Sequence, residues 1–187
     1  MAKKARKAVK KTKKPVKKSK AAKKKAPASN PLPGMIPLYA QETKSSERMI
    51  GAIPNDKLGN KIHPKFRSAG ELGNHLGDAM LDLMVILKAG KFVFKEPATF
   101  TTADQILAHY KKAAGAFMGG IKKVSKSNLS KKIKFEMGGK VIWEPTGYEV
   151  IQSWICHEIH HRAHIGAVLR VLDAKVPGMY GPTADDM

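Results

Sequence analysis

From about residue 68 onward, apolar residues recur at three- and four-residue intervals, the spacing that lines one face of a helix. Three of these runs open on a capping box, in which a hydroxyl caps the first turn and a Glu or Gln three residues later returns the bond. They are Ser68-Ala-Gly-Glu71, Thr102-Ala-Asp-Gln105 and Thr146-Gly-Tyr-Glu149. The first predicts a helix from about Ser68 to Lys88, with Leu72, Leu76, Ala79, Leu83 and Leu87 on one face and a stop near Gly90. The second predicts a helix from about Thr102 to Ser127 that carries Ile106, Tyr110, Phe117, Ile121 and Val124. The third predicts a helix from about Thr146 to Ala174, ending before Pro177. An earlier and weaker run holds Tyr39, Met49, Ile50 and Ile53 and ends at Pro54. Before the last helix, "KIKFEMGGKVIWEP" alternates apolar and polar residues around Gly138-Gly139, which predicts a small β-hairpin. Four helices with one apolar stripe each bury those stripes together, so the expected fold is all-α, a four-helix bundle.

Residues 1–34 do not share the pattern. Fourteen Lys or Arg and no Asp or Glu stand in residues 1–25, so +14 of the formal net charge of +20 sits there, leaving +6 for the rest. Lys, Ala and Pro bury too little apolar surface to offset chain entropy, which predicts a disordered arm ending in the proline-rich connector "APASNPLPG". The arm resembles the lysine-rich tails of histone H1-like and bacterial nucleoid proteins. Residues 3–25 are expected to bind nucleic acid non-specifically, through counterion release at phosphates. Residues 35–187 form the folded domain. The single cysteine, Cys156, fits a reducing cytoplasm and a packing role. No apolar run approaches the roughly 18 residues that span a bilayer, and none follows the basic N-terminus as in a signal peptide, so the expected location is cytoplasmic, with nucleoid association.

The last helix is where chemistry concentrates. "WICHEIHHRAHIGAVLRVL" places His157, His160, His161 and His164 within eight positions. At about 100° per residue, the stripe of Val150, Ile151, Trp154, Ile165, Val168, Leu169 and Leu172 has its centre roughly 35° from His161 and roughly 75° from His157. His164 lies roughly 95° away, at the border, and His160 roughly 135° away, so His160 is expected to be solvated or interfacial. Histidines at i and i+4 converge on one point above a helix and chelate a divalent ion. On the second helix, "GELGNHLGDAM" puts His75 at the edge of the leucine stripe, a third ligand from a facing element. Three neutral imidazoles with positions left for water describe a catalytic type of metal site. His63 and His109 are expected to be structural or exposed.

These same segments carry a resemblance. "RSAGELGNHL", followed later by "HEIHHRAHIGAVLRVLDAKVPGMYGP", resembles the DinB/YfiT-like superfamily, whose members are taken to be metalloenzymes. There the last helix reads close to H-x-x-x-H-R-G-Q-h-x-x-x-L-R, followed by G-x-x-x-P-x-x-Y. His157, His161, Arg162, Leu169, Arg170, Pro177 and Tyr180 stand in those places, whereas Ala163-His164 replace Gly-Gln and Asp173-Ala174 occupy the region where a Gly is common. The resemblance implies up-down-down-up connections, a frequent homodimer, and a divalent ion on His75, His157 and His161. Zn²⁺ or Ni²⁺ is the first expectation, with Fe or Mn as alternatives. It also implies a low-molecular-weight thiol and an electrophilic substrate, as in bacillithiol- or mycothiol-dependent S-transferases and a maleylpyruvate isomerase.

"HEIHH" also matches the H-E-x-x-H of zinc proteases, where Glu158 would be the general base. The same helical wheel puts Glu158 roughly 175° from the stripe centre, on the outer face, which argues against that chemistry. Asp78 is expected at the surface or beside a ligand, Trp154 in the core, and Arg162 and Arg170 in ion pairs or on an anionic cosubstrate. A reading from another class makes the domain a non-catalytic binding module carried to DNA by its arm.

Overall fold

The computed structural model describes residues 32–92 and 95–187. The expected arm and its nucleic-acid contacts fall almost wholly in residues 1–31, outside the described residues. The long helices are α1 (Leu32–Gly51), α2 (Ala69–Ala89), α3 (Ala103–Ile121) and α5 (Gly147–Val171). A short α4 (Lys126–Ser130) and a hairpin of β1 (Phe135–Met137) and β2 (Lys140–Trp143) lie between α3 and α5.

Each of α1 and α2 packs against both α3 and α5, so the four surround one core. Contacts along the axes give the directions. Gly73 meets Ile106, Gly77 meets His109, and Gly120 meets Met84, so α2 and α3 run parallel. Trp154 donates to the Ala79 carbonyl while Gly147 approaches Leu87, so α5 opposes α2. Tyr39 donates to the Ile151 carbonyl and Gly166 faces Met49, so α5 runs with α1. Tyr39 packs on Phe117 and Gly51 on Leu107, which makes α3 antiparallel to α1. The connections are therefore up-down-down-up. Running α2 and α3 in the same direction requires the long crossover of residues 90–102.

The caps act where the sequence places them. Ser68 and Thr146 form complete boxes with Glu71 and Glu149. Thr102 accepts from the Gln105 N–H, but the Gln105 side chain returns its bond to Thr101 instead. A Thr146→Ala protein should lose about 1 kcal/mol of stability, seen as a lower urea midpoint at unchanged slope. Gly138 and Gly139 turn the hairpin with φ of 57° and 75°, the left-handed pair that a two-residue turn demands.

Among the described residues α1 already covers residues 32–34, with the Leu32 side chain buried. One helix end differs from expectation. α3 stops at Ile121 rather than continuing to Ser127. Gly119 and Gly120 weaken its last turn, and Ser125 then accepts from the Asn128 N–H to open α4.

The larger correction concerns the buried face of α5. It runs through Val150, Ile151, Ile155, Glu158, Arg162, Ile165 and Leu169, with Glu158 3% and Arg162 2% exposed. Glu158 is therefore on the inner face, not the outer one. An apolar-only stripe leaves out two charged residues near its true centre.

Candidate metal centre

His75 lies in the second turn of α2, and His157 and His161 lie one turn apart on the flank of α5 that meets α2. The Nε2 atoms of His75 and His157 are 3.1 Å apart. Ring centres are separated by 5.0 Å for His75–His157, 4.7 Å for His75–His161 and 4.5 Å for His157–His161. One nitrogen from each ring lies within 4.8 Å of the other two. The fold thus brings together all three residues that the sequence singled out.

Burial sets their protonation. It pulls the imidazoles of His75 and His157 down to about 4 and that of His161 down to about 3. Positive charge on Arg67 and repulsion within the cluster push in the same direction. All three are neutral at pH 7 and present lone pairs, as a metal ligand must. Since the folded values lie below the ordinary 6.5, the unfolded chain takes up protons first as pH falls. The metal-free protein should keep its full stability above about pH 6.5 and lose it progressively toward pH 4. Urea midpoints across that range measure this, and His157→Gln should flatten the slope.

The donor set fits a divalent ion. A tetrahedral zinc with bonds of about 2.0 to 2.1 Å separates neighbouring nitrogens by about 3.3 Å, close to the His75–His157 spacing. His161 Nδ1 is buried with no hydrogen-bond partner, one of two such side-chain atoms among the described residues. A buried nitrogen of this kind costs free energy unless something binds it.

The surroundings fix the cluster. Trp154 packs against the core while it stacks on His157 at 5.5 Å and its indole N–H donates to Ala79, so this half-buried residue also braces a candidate ligand. Asp78 accepts from the Ala98 N–H and meets His109 Nε2 at 2.9 Å, tying α3 and the crossover to α2 one turn from His75. His109 is structural, as expected, and His63 is exposed. A second group, His160, His161 and His164, has comparable spacing, but His160 is exposed and His161 is common to both. Cys156 is exposed, which corrects its expected packing role.

Sequence reasoning missed a buried polar network on the far side of α5. Arg162 donates to the Glu42 carboxylate at 2.5 Å, to the Glu42 carbonyl at 3.0 Å and to Ser46 at 3.3 Å. Tyr180 reaches in from the C-terminal segment to both Arg162 and Glu42. Tyr110 donates to Glu158, whose carboxyl is raised by burial. Glu158 is thus held by α3 and turned from the histidines, so it cannot serve as a protease base. The protease reading fails, though for burial rather than the exposure first expected. Arg170 pairs with Asp185 at the surface. The signal for the network was available: Glu158 and Arg162 sit at i and i+4 and interrupt no helix.

Residues 34–187 match the DinB family. A Bacillus subtilis (strain 168) protein named Uncharacterized protein YrdA is 24% identical over 150 residues, covering 78% of this chain and 85% of its own. A crystal structure of a DinB-like protein from Bacillus cereus ATCC 10987 superimposes with a TM-score of 0.64 at 20% identity, covering 80% of this chain and 97% of that one. The DinB-like protein YjoA of Bacillus subtilis gives 0.61 at 19% identity, covering 78% and 97%. At these identities the two structures speak for the fold. Among the described residues, no helix is long and apolar enough to cross a membrane.

Proposed function

The chain belongs to the DinB family, and from that premise we propose that His75, His157 and His161 hold one divalent ion in a metal-dependent enzyme. The observation that carries the proposal is the convergence of three neutral imidazoles from two helices, one with a buried nitrogen that none of the described residues satisfies. An all-imidazole set suits zinc, nickel or iron, whereas manganese prefers oxygen ligands. Such an ion, when bound, supplies Lewis-acid chemistry and lowers the pKa of water or a thiol at its open positions. The chain's own residues orient the rings: Trp154 holds His157 by stacking, and burial keeps all three from taking protons. Protein purified without a histidine tag, stripped and reloaded with zinc or nickel, should retain about one ion per chain through gel filtration. A clear absence of stoichiometric binding overturns the reading.

For the reaction we propose thiol-dependent transfer to an electrophile, which the sequence resemblance of the last helix supports. The loaded protein should consume a low-molecular-weight thiol in the presence of an electrophile, and His157→Ala should not. For residues 3–25 we propose non-specific binding to phosphate backbones. Deleting residues 1–30 should abolish low-salt DNA retention and leave metal binding intact, and binding that survives the deletion places the contact elsewhere.

A further inference from the structure

Three cavities, of about 480, 460 and 340 Å³, reach the imidazole centre. Their walls have two residues in common, His75 and Arg67. Arg67 is exposed, directly precedes the N-cap of α2, and stands where the three spaces meet.

The charges around this junction are not equivalent. Glu71 pairs with Lys61 at 2.9 Å and caps α2, Asp78 is taken by His109 and the Ala98 N–H, and Asp82 lies 3.7 Å from Lys95. Among the described residues no carboxylate pairs with Arg67 or Lys65. The 340 Å³ cavity contains both of these cations together with His75 and His161, and no Asp or Glu. The 460 Å³ cavity is mixed, with Asp78, Asp82 and Glu96 beside Arg67 and Lys95. The 340 Å³ approach to the histidines is therefore the one lined by Lys and Arg without any carboxylate.

We propose that Arg67, with Lys65 beside it, binds the carboxylate of an anionic substrate whose reacting end lies at His75, His157 and His161. This rests on the metal-centre reading above and adds the substrate class. A guanidinium offers paired N–H donors that match a carboxylate; among the described residues Arg67 makes no hydrogen bond or ion pair and acts on Glu71 only through its charge, so it has no such bond to surrender on binding. Cavities of this size suit a small molecule rather than a polymer.

The test uses the full chain loaded with Co²⁺ and two hydroxamates with the same metal-binding head, acetohydroxamate and the monohydroxamate of succinate. Only the second carries a free carboxylate. Changes in the visible absorption of cobalt report the binding of each. The carboxylate-bearing compound should bind about tenfold more tightly, about 1.4 kcal/mol. Arg67→Gln should bring the ratio close to one with cobalt stoichiometry unchanged. Lys65→Gln should lower the ratio less, and Arg67→Lys should retain part of it. Equal affinity in the unaltered protein, or an advantage that survives Arg67→Gln, overturns the proposal and leaves the metal centre standing. Failure to bind cobalt, or bound cobalt that ignores both hydroxamates, overturns the metal-centre reading, and this proposal with it.

Discussion

A His161→Ala protein should fold normally and lose its divalent ion, with affinity reduced by about 100-fold or more. His161 occupies the middle of the triad: its ring centre is 4.7 Å from that of His75 and 4.5 Å from that of His157. Removing it leaves two ligands on different helices without the i, i+4 chelate that holds the ion against α5. The ring is only half-buried and makes no hydrogen bond through Nδ1 to any described residue, so the fold loses little when it goes. Competition with a chromophoric chelator measures the affinity, and urea unfolding of the metal-free protein checks the fold. His160→Ala is the comparison, because His160 is exposed and outside the triad; it should bind metal as the parent does. Parent-like affinity in His161→Ala would sink the three-imidazole site.

The second large effect should come from Arg162→Met, with a loss of about 3 to 5 kcal/mol. Arg162 and Glu42 are each 2% exposed, and the guanidinium also serves Ser46 and Tyr180. Deleting the cation leaves the Glu42 carboxylate buried without its partner, a state that costs more than the pair contributes when intact. Glu158 would suffer too, since Arg162 favours its ionised form against strong desolvation. Replacing both members, as in Glu42→Gln with Arg162→Met, should restore much of the loss because no Glu42 charge is left buried without its partner, while burial already favours the protonated form of Glu158. Denaturant unfolding of the two proteins gives the comparison. Tyr180, having lost the Arg162 guanidinium, should make the C-terminal segment more sensitive to protease. Metal affinity measured under folding conditions should change little, since the network faces α1 and α3 while the histidines face α2. An equal loss in single and double variants would show that packing, not charge, governs this part of the core.

Local patterns were legible wherever chemistry acts within a few residues. Ser68 and Thr146 cap their helices as read, because a capping box depends on four consecutive residues and little else. The Gly138-Gly139 turn follows from the need for two left-handed residues. His157 and His161 could be paired in advance, since an i, i+4 spacing on a helix fixes their proximity before any tertiary contact forms.

Where the sequence misled, the deciding contact came from another helix. Glu158 looked like a surface residue because nothing nearby explains a buried carboxyl; its partner Tyr110 is 48 positions away on α3. Arg162 finds Glu42 at a separation of 120 positions. Gly119 and Gly120 ended α3 early against a continuing apolar rhythm, since rhythm records burial and not the weakness of a turn. The chain alone determined which segments coil, where they are capped and which imidazoles form a pair. Only assembly of the bundle brought His75 against the other two rings, put two charged residues at the centre of α5, and set Arg67 where the three cavities meet. Helix periodicity is a local property of the backbone, whereas the partner of a buried charge is whatever the packing of distant helices presents to it.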